Sequence, residues 1–388
     1  MIPIPYKHFL VTIACILLCM VVAAQSHALE SNLFKEQTID DNISIGYGIA
    51  ISDVDGDKRP DILLADKTQI VWYRNGDWQK FVMAEHLTEM DNVCIAAEDL
   101  DGDGKAEVAV GAQWNPSETS DEKKSGAIFF LTSPADLTQL WKATKLYHEP
   151  TIHRMRWMKS AEGKNYLLVL PLHGQGNQQG KGKGVNLLVF RYPDLLHNPR
   201  PLHIIPTGMH QTHNLDMDEK GIYVAGKEGV GFIDPGFDKQ KGAVTIIPGT
   251  GPSGEVRIGQ SSRNGSFIAT IEPIHGSDLV IYMNKGSRLV LDTSFNEGHG
   301  LAAADVLGLG YNQVIAGWRQ PDKNGEVGIK LYIKKITGGN EWEGRWIDRN
   351  GMACEDLQVA DLNGDGRMEI IAAGRKTHNL KIYWNTLH

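Results

Sequence analysis

Cysteine is scarce in this 388-residue chain. Of its four cysteines, Cys15 and Cys19 lie in an apolar leader, which leaves Cys94 and Cys354 and excludes a disulfide-built scaffold. Long apolar runs are missing after that leader. Within it, Lys7 and His8 precede an apolar stretch from Phe9 to Ala24, and Ser26-His27-Ala28 supplies small residues at a cleavage site. The stretch falls short of the ~20 residues a membrane span needs, so residues 1–28 read as a secretory signal. No small residues precede Cys19, as a lipid-attached cysteine would need, since Leu17 and Leu18 stand there. The expected protein is exported, periplasmic or secreted, with no membrane span once the signal is cleaved. Positive charge is also in deficit: residues 29–388 carry 38 basic against 47 acidic side chains, a formal charge of −9, which argues against a nucleic-acid partner. There is neither a Gly-x-Ser-x-Gly elbow nor a phosphate loop ending in Gly-Lys-Ser.

What the chain does contain is repetition. Asp53-Val-Asp-Gly-Asp57 followed by Asp61-Ile-Leu-Leu-Ala65 recurs as Asp99-Leu-Asp-Gly-Asp103 with Glu107-Val-Ala-Val-Gly111, and again as Asp361-Leu-Asn-Gly-Asp365 with Glu369-Ile-Ile-Ala-Ala-Gly374. A fourth copy, Asp305-Val-Leu-Gly-Leu309 with Gln313-Val-Ile-Ala-Gly317, keeps the frame without the carboxylates. Degenerate units fit near 159, 216 and 260, so seven units spaced by about 51 residues fill residues 29–388 as one domain. Each unit reads as an apolar strand, a turn, two more strands and an outer fourth. The seventh stops after Tyr383-Trp-Asn385, and Leu33 to Ile39 at the other end supplies its missing strand. The expected fold is all-β: a seven-bladed β-propeller closed by an N-terminal outer strand.

The acidic turns have the spacing of a hard-cation loop, with oxygens at positions one, three, five and nine and a glycine at the bend. The expected calcium ligands are Asp53, Asp55, Asp57 and Asp61; Asp99, Asp101, Asp103 and Glu107; and Asp361, Asn363, Asp365 and Glu369. These turns resemble the calcium loops of FG-GAP and VCBS repeat proteins, a resemblance that implies a propeller with Ca2+ between the first two strands of a blade. Leu307 and Leu309 depart from that pattern, so no ion is expected at Asp305.

Turns joining first to second strands share one face of such a disc, so the starts of first strands and the ends of second strands share the other. That second face collects His153 with Arg154, His210, His213, Arg257 and His299 from first strands, and Trp114, His173, His275, Trp318 with Arg319, and Arg375 with His378 from second strands. Imidazoles at a channel mouth can move protons near neutral pH or bind a transition metal, and arginines beside them can hold a carboxylate or an enolate. Gly174 to Gly184, rich in glycine, reads as a flexible loop over this face, a candidate lid.

Ile152-His-Arg-Met-Arg-Trp157, Pro171-Leu-His-Gly174, His213-Asn-Leu-Asp216, Glu272-Pro-Ile-His-Gly276, Glu297-Gly-His-Gly300 and Gly351-Met-Ala-Cys-Glu-Asp356 resemble the propeller domain of aldos-2-ulose dehydratases, which eliminate water from keto-sugars. The separation of His153 and His173 is similar to that of a histidine pair in propeller-type ulvan lyases. Both resemblances imply β-elimination at a sugar: a carbon–oxygen lyase acting on a keto-sugar, keto-glycoside or uronate. On that reading His153 and His173 form the base and acid pair, and Arg257 holds the oxyanion. His210, His213, His299, Arg319, His275 and His378 would bind substrate or a second divalent metal, Zn2+ or Mn2+. The alternative is a non-catalytic calcium-binding propeller that binds glycan or protein, for which Trp114 and Trp318 would be the aromatic platforms.

Overall fold

A run such as Ile62-Leu-Leu-Ala65 is apolar at every position, the pattern of a strand covered on both faces. Its burial is complete. A computed structural model describes residues 33–387 apart from 235, 237–243, 264, 284–286 and 336–339; the signal-like residues 1–28 lie outside the described residues. It contains seven four-stranded antiparallel sheets. Six are built from consecutive strands, and blades one to six begin with the inner strands Gly48–Ser52, Cys94–Glu98, Ile152–Lys159, Thr212–Asp218, Glu255–Ser262 and Gly298–Ala304. The seventh joins Cys354–Ala360, Glu369–Gly374 and Asn379–Asn385 to the N-terminal strand Phe34–Asp40. That closing pair is antiparallel, with Phe34 opposite Asn385, as the strand count predicts.

The core lies between blades. Ile128 and Phe130 of blade two pack with Leu167, Val169 and Leu188 of blade three, and Ile62 and Leu64 of blade one pack with Ile371, Leu380 and Ile382 of blade seven. Inner strands start buried and become half-buried toward their ends, as in the pattern of Cys354–Ala360. Outer strands are the least covered, and their observed bounds differ from the sequence expectation by a few residues; the fourth strand of blade one runs Lys80–Glu85 rather than from Trp78, whose backbone turns at φ +55°. Among the described residues the single helical element is a one-turn 3-10 segment at Asp194–Leu196, and no helix is long and apolar enough to cross a membrane.

Candidate functional site at the channel mouth

Four inner strands share an irregularity where they start. In blade three Ile152 pairs with Pro171 and Arg154 with Leu170, so His153 is skipped. The register steps past His299 in blade six, past Glu355 in blade seven, and past His213 and Asn214 in blade four. A residue dropped from the ladder at a bulge can turn its side chain away from the alternation that strand geometry imposes. Here the rings turn toward one another: His153 and His213 lie 4.4 Å apart between centroids, His213 and His275 4.1 Å, His213 and His299 5.1 Å, and His275 and His299 4.8 Å.

Three of these rings bond to the next blade. His153 Nδ1 meets the carbonyl of His213 at 2.8 Å, His213 Nδ1 meets that of Gly254 at 2.9 Å, and His299 Nδ1 meets that of Glu355. A carbonyl only accepts, so each Nδ1 carries the proton and each Nε2 keeps its lone pair. His275 is set the other way. Arg319 Nη2 lies 3.0 Å from His275 Nδ1, and because a guanidinium only donates, the His275 proton sits on Nε2, in contact with His213 Nε2. The fold therefore writes both tautomers into the cluster.

Electrostatics keep the rings neutral. Burial pushes His153, His213 and His299 well below the usual histidine range, and Arg154 or Arg319 is the next cause in each case. His275 is pushed down to about 2 by burial, then by His213 and Arg319. Arg154 Nη1 donates to the His153 carbonyl at 3.0 Å and lies 3.4 Å from His153 Nε2. Acidic groups complete the site. Glu355 accepts from Arg375 Nε at 2.7 Å and from Arg319 Nη1 at 3.3 Å. Glu255, 1% exposed, takes Asn214 Nδ2 on one oxygen at 2.5 Å, while its Oε1, without a hydrogen bond, lies 3.0 Å from His213 Nδ1.

Trp114 packs on the His153 ring at 4.8 Å between centroids, while the remaining residues expected at this site make their contacts elsewhere. Burial holds the His173 ring below the usual histidine range, and its Nδ1 is buried without a partner. His210 is half-buried and pairs with Glu228 at 2.9 Å. His378 bonds the carbonyls of Ile43 and Ser44 where blade seven meets blade one. Arg257 donates to its own strand at Val256 and stands 3.7 Å from Glu255. Trp318 is fully buried and stacks on Phe295, so it offers no platform to a ligand. Sequence reasoning missed Glu255 and Glu355. The signal was available: they open the inner strands of blades five and seven, where blades three, four and six have histidine.

Ligand atoms of His213, His275 and His299 all lie within 4.8 Å of one another. Three imidazoles suit a divalent transition ion that keeps a coordination position open. Two of the rings already donate Nδ1 to carbonyls, the usual outer support of a ligating histidine. The third fits once Arg319 gives up His275 for Glu355 or for Glu297, which lies 3.3 Å from its Nε.

The acidic turns sit at the opposite face. Oxygens of Asp53, Asp55 and Asp57 converge within 4.8 Å, as do those of Asp99, Asp101 and Glu107. The ninth-position carboxylate holds the turn's entry: Asp61 accepts from Val54 N, Glu107 from Leu100 N and Glu369 from Leu362 N. Burial pushes Asp61 and Glu107 up to about 7, with neighbouring aspartates adding to the rise. Around Asp361, backbone amides of Gly364 and Gly366 fold onto its carboxylate, with Gly364 at φ +76° where a side chain would be strained. In blade six Gln313 Nε2 donates to Asp305 at 3.3 Å, so an amide stands where the other turns offer a carboxylate.

Comparison with known proteins bears on the fold and the turns. The FG-GAP-like repeat family matches residues 53–110, and the FG-GAP repeat family matches residues 95–131. Blades one and two carry FG-GAP repeats. No curated protein matches the chain in sequence. A chain of the mitotic checkpoint complex aligns over 91% of this chain and 92% of its own, with a TM-score of 0.58 at 10% identity. BBS1N, from its complex with ARL6DN, aligns over 92% and 97% with a TM-score of 0.56 at 14% identity. The extracellular domain of BT4673 from B. thetaiotaomicron, described as that of a one component system, aligns over 90% of this chain and 39% of its own, with a TM-score of 0.54 at 12% identity. At such identities the likeness is one of fold.

Proposed function

We propose that the histidine face is the active site of an exported carbon–oxygen lyase that eliminates water or an alcohol from a sugar, next to a carbonyl or carboxylate. The observation that carries this reading is the set of neutral imidazoles held between Arg154 and Arg319. His153 Nε2 carries the lone pair a base needs, held by a long 3.4 Å contact from Arg154 Nη1 that substrate would displace, and Arg154 then suits the negative oxygen that grows as the C–H bond breaks. The protonated His153 then returns its proton to the departing oxygen on the same side of the ring as the C–O bond breaks and the C=C bond forms. One group serves as base and acid, so His173 is not required. A divalent ion such as Zn2+ or Mn2+ on His213, His275 and His299 would supply Lewis acidity to the substrate's oxygen. Calcium in the three acidic turns would pin the blades, and residues 1–28 support export.

Ultraviolet absorbance tests the reading during incubation with keto-sugars, 3-keto-glycosides and uronate polysaccharides. A conjugated product that accumulates with the wild type and is absent with folded His153→Ala is expected. Flat traces across the panel would replace this reading with that of a non-catalytic calcium-binding propeller.

A further inference from the structure

Beside the histidine cluster, on the same face, the segments Pro116–Thr119 and His173–Gly182 enclose a cleft of about 900 Å³. Its walls are fastened together. Thr119 Oγ1 donates to the Asn177 carbonyl and Gly176 N to the Thr119 carbonyl, both at 2.7 Å. Asn177 Nδ2 donates to the carbonyls of Lys183 and His210 at 3.0 Å. The glycine-rich segment is therefore a fixed wall rather than a free lid.

Two polar atoms in this wall lack partners. Asn177 is 1% exposed, and its Oδ1 accepts nothing although its amide nitrogen is fully used. His173 Nδ1 is likewise buried without a partner. A buried acceptor without a donor costs about 1–3 kcal/mol, so such an atom calls for an explanation. The lip adds Ser117, Gln178, Gln179 and Lys181, all exposed. Small-molecule pockets are mostly apolar, and this one is not. Neither atom opens onto the cleft, so a ligand meets the lip, where hydroxyl, amide and ammonium groups of Ser117, Gln178, Gln179 and Lys181 both donate and accept and suit a neutral partner with several hydroxyls. Trp114 links the cleft to the cluster: it lies two residues before Pro116, and its ring packs on that of His153 at 4.8 Å between centroids.

We propose that this cleft is a saccharide subsite that binds a neutral, hydroxyl-rich ring of an oligosaccharide whose next unit lies past Trp114 at the histidine cluster. The substrate is accordingly a chain of sugars rather than a single one, a step that rests on the lyase reading, whereas binding in the cleft does not.

The test is retention of the purified protein on an array of immobilised glycans, from monosaccharides to hexasaccharides of varied linkage. Retention should rise about tenfold from one sugar to three. Ser117→Trp, on the exposed lip, fills the cleft without removing a buried hydrogen bond and should abolish the rise, as should Asn177→Leu where it folds. No retained glycan, or a rise unchanged in Ser117→Trp, overturns the proposal. Retention that persists in His153→Ala, with no elimination by the wild type, keeps the subsite and refutes the lyase. Elimination with length-independent retention does the reverse.

Discussion

A buried imidazole that cannot take a proton makes the fold acid-sensitive. His153, His213, His275 and His299 all titrate below the unfolded value of 6.5. Below that pH the unfolded chain takes up protons that the folded chain refuses, so stability is full above pH 6.5 and falls as the pH drops. For protein stripped of metal, the unfolding free energy from urea titrations at pH 7.5, 6.5 and 5.5 should fall mainly at the last step, by about 1 kcal/mol per ring. His213→Gln should lessen that slope. The two thiols make the opposite case. Burial pushes Cys94 up to about 12 and raises Cys354 as well, so neither offers a thiolate near neutral pH. Iodoacetamide should leave both unmodified in native protein and label both in urea. Strand position in the sequence put a set of histidines on one face, and of that set His153, His213, His275 and His299 meet. The acidic partners were harder to see, because Glu255 stays paired in its ladder while Glu355 is skipped, and the bulges that turn His153, His213 and His299 inward follow from no local sequence signal. His173 shows the limit of spacing as a guide: it follows a second strand as expected, but it lines the neighbouring cleft rather than the ring cluster.

At the scale of the strand and its turn, the repeat was readable because one chemical pattern recurs in frame. The degenerate blades three to five lack that pattern, and only their apolar runs betray them; outer-strand edges were less legible because half-covered strands carry little alternation. The blade-six turn offers a direct check of the calcium reading. Leu307 and Leu309 occupy the positions of acidic or amide ligands elsewhere, and Gln313 Nε2 already contacts Asp305. Converting the turn with Leu307→Asp, Leu309→Asp and Gln313→Glu should raise the number of calcium ions bound, measured by calorimetric titration, from three to four. In the wild type, calcium at about 100 times its dissociation constant should contribute about 2.7 kcal/mol per site if it binds the folded chain alone. A melting temperature unmoved by chelator would refute calcium as a fastener of these turns.

For the molecule as a ring, stability depends on the closing sheet. Phe34–Asp40 is paired along its length with Asn379–Asn385, and Lys381 reaches from the last strand to Glu36 and Asp348, both at 3.0 Å. Deleting residues 33–40 would bare the outer edge of Asn379–Asn385, and an exposed edge strand invites pairing with other chains. The truncated protein should melt at lower temperature and associate on sizing chromatography, and a synthetic peptide of residues 33–40 added in excess should reverse part of both effects.

Because that stitch is made of hydrogen bonds, the position of the chain's ends in the ring is arbitrary. Phe34 and Asn385 face each other across one sheet, so a short linker could join them and new ends could be opened in an outer loop between two other blades. Such a circular permutant would keep the seven sheets and the four convergent rings while its seam moved elsewhere. The histidines draw on blades three to six, and the closing sheet supplies Glu355, Asp356 and Arg375 to their surroundings. The site is thereby insulated from fraying at the termini, which is where a chain of this length first comes loose.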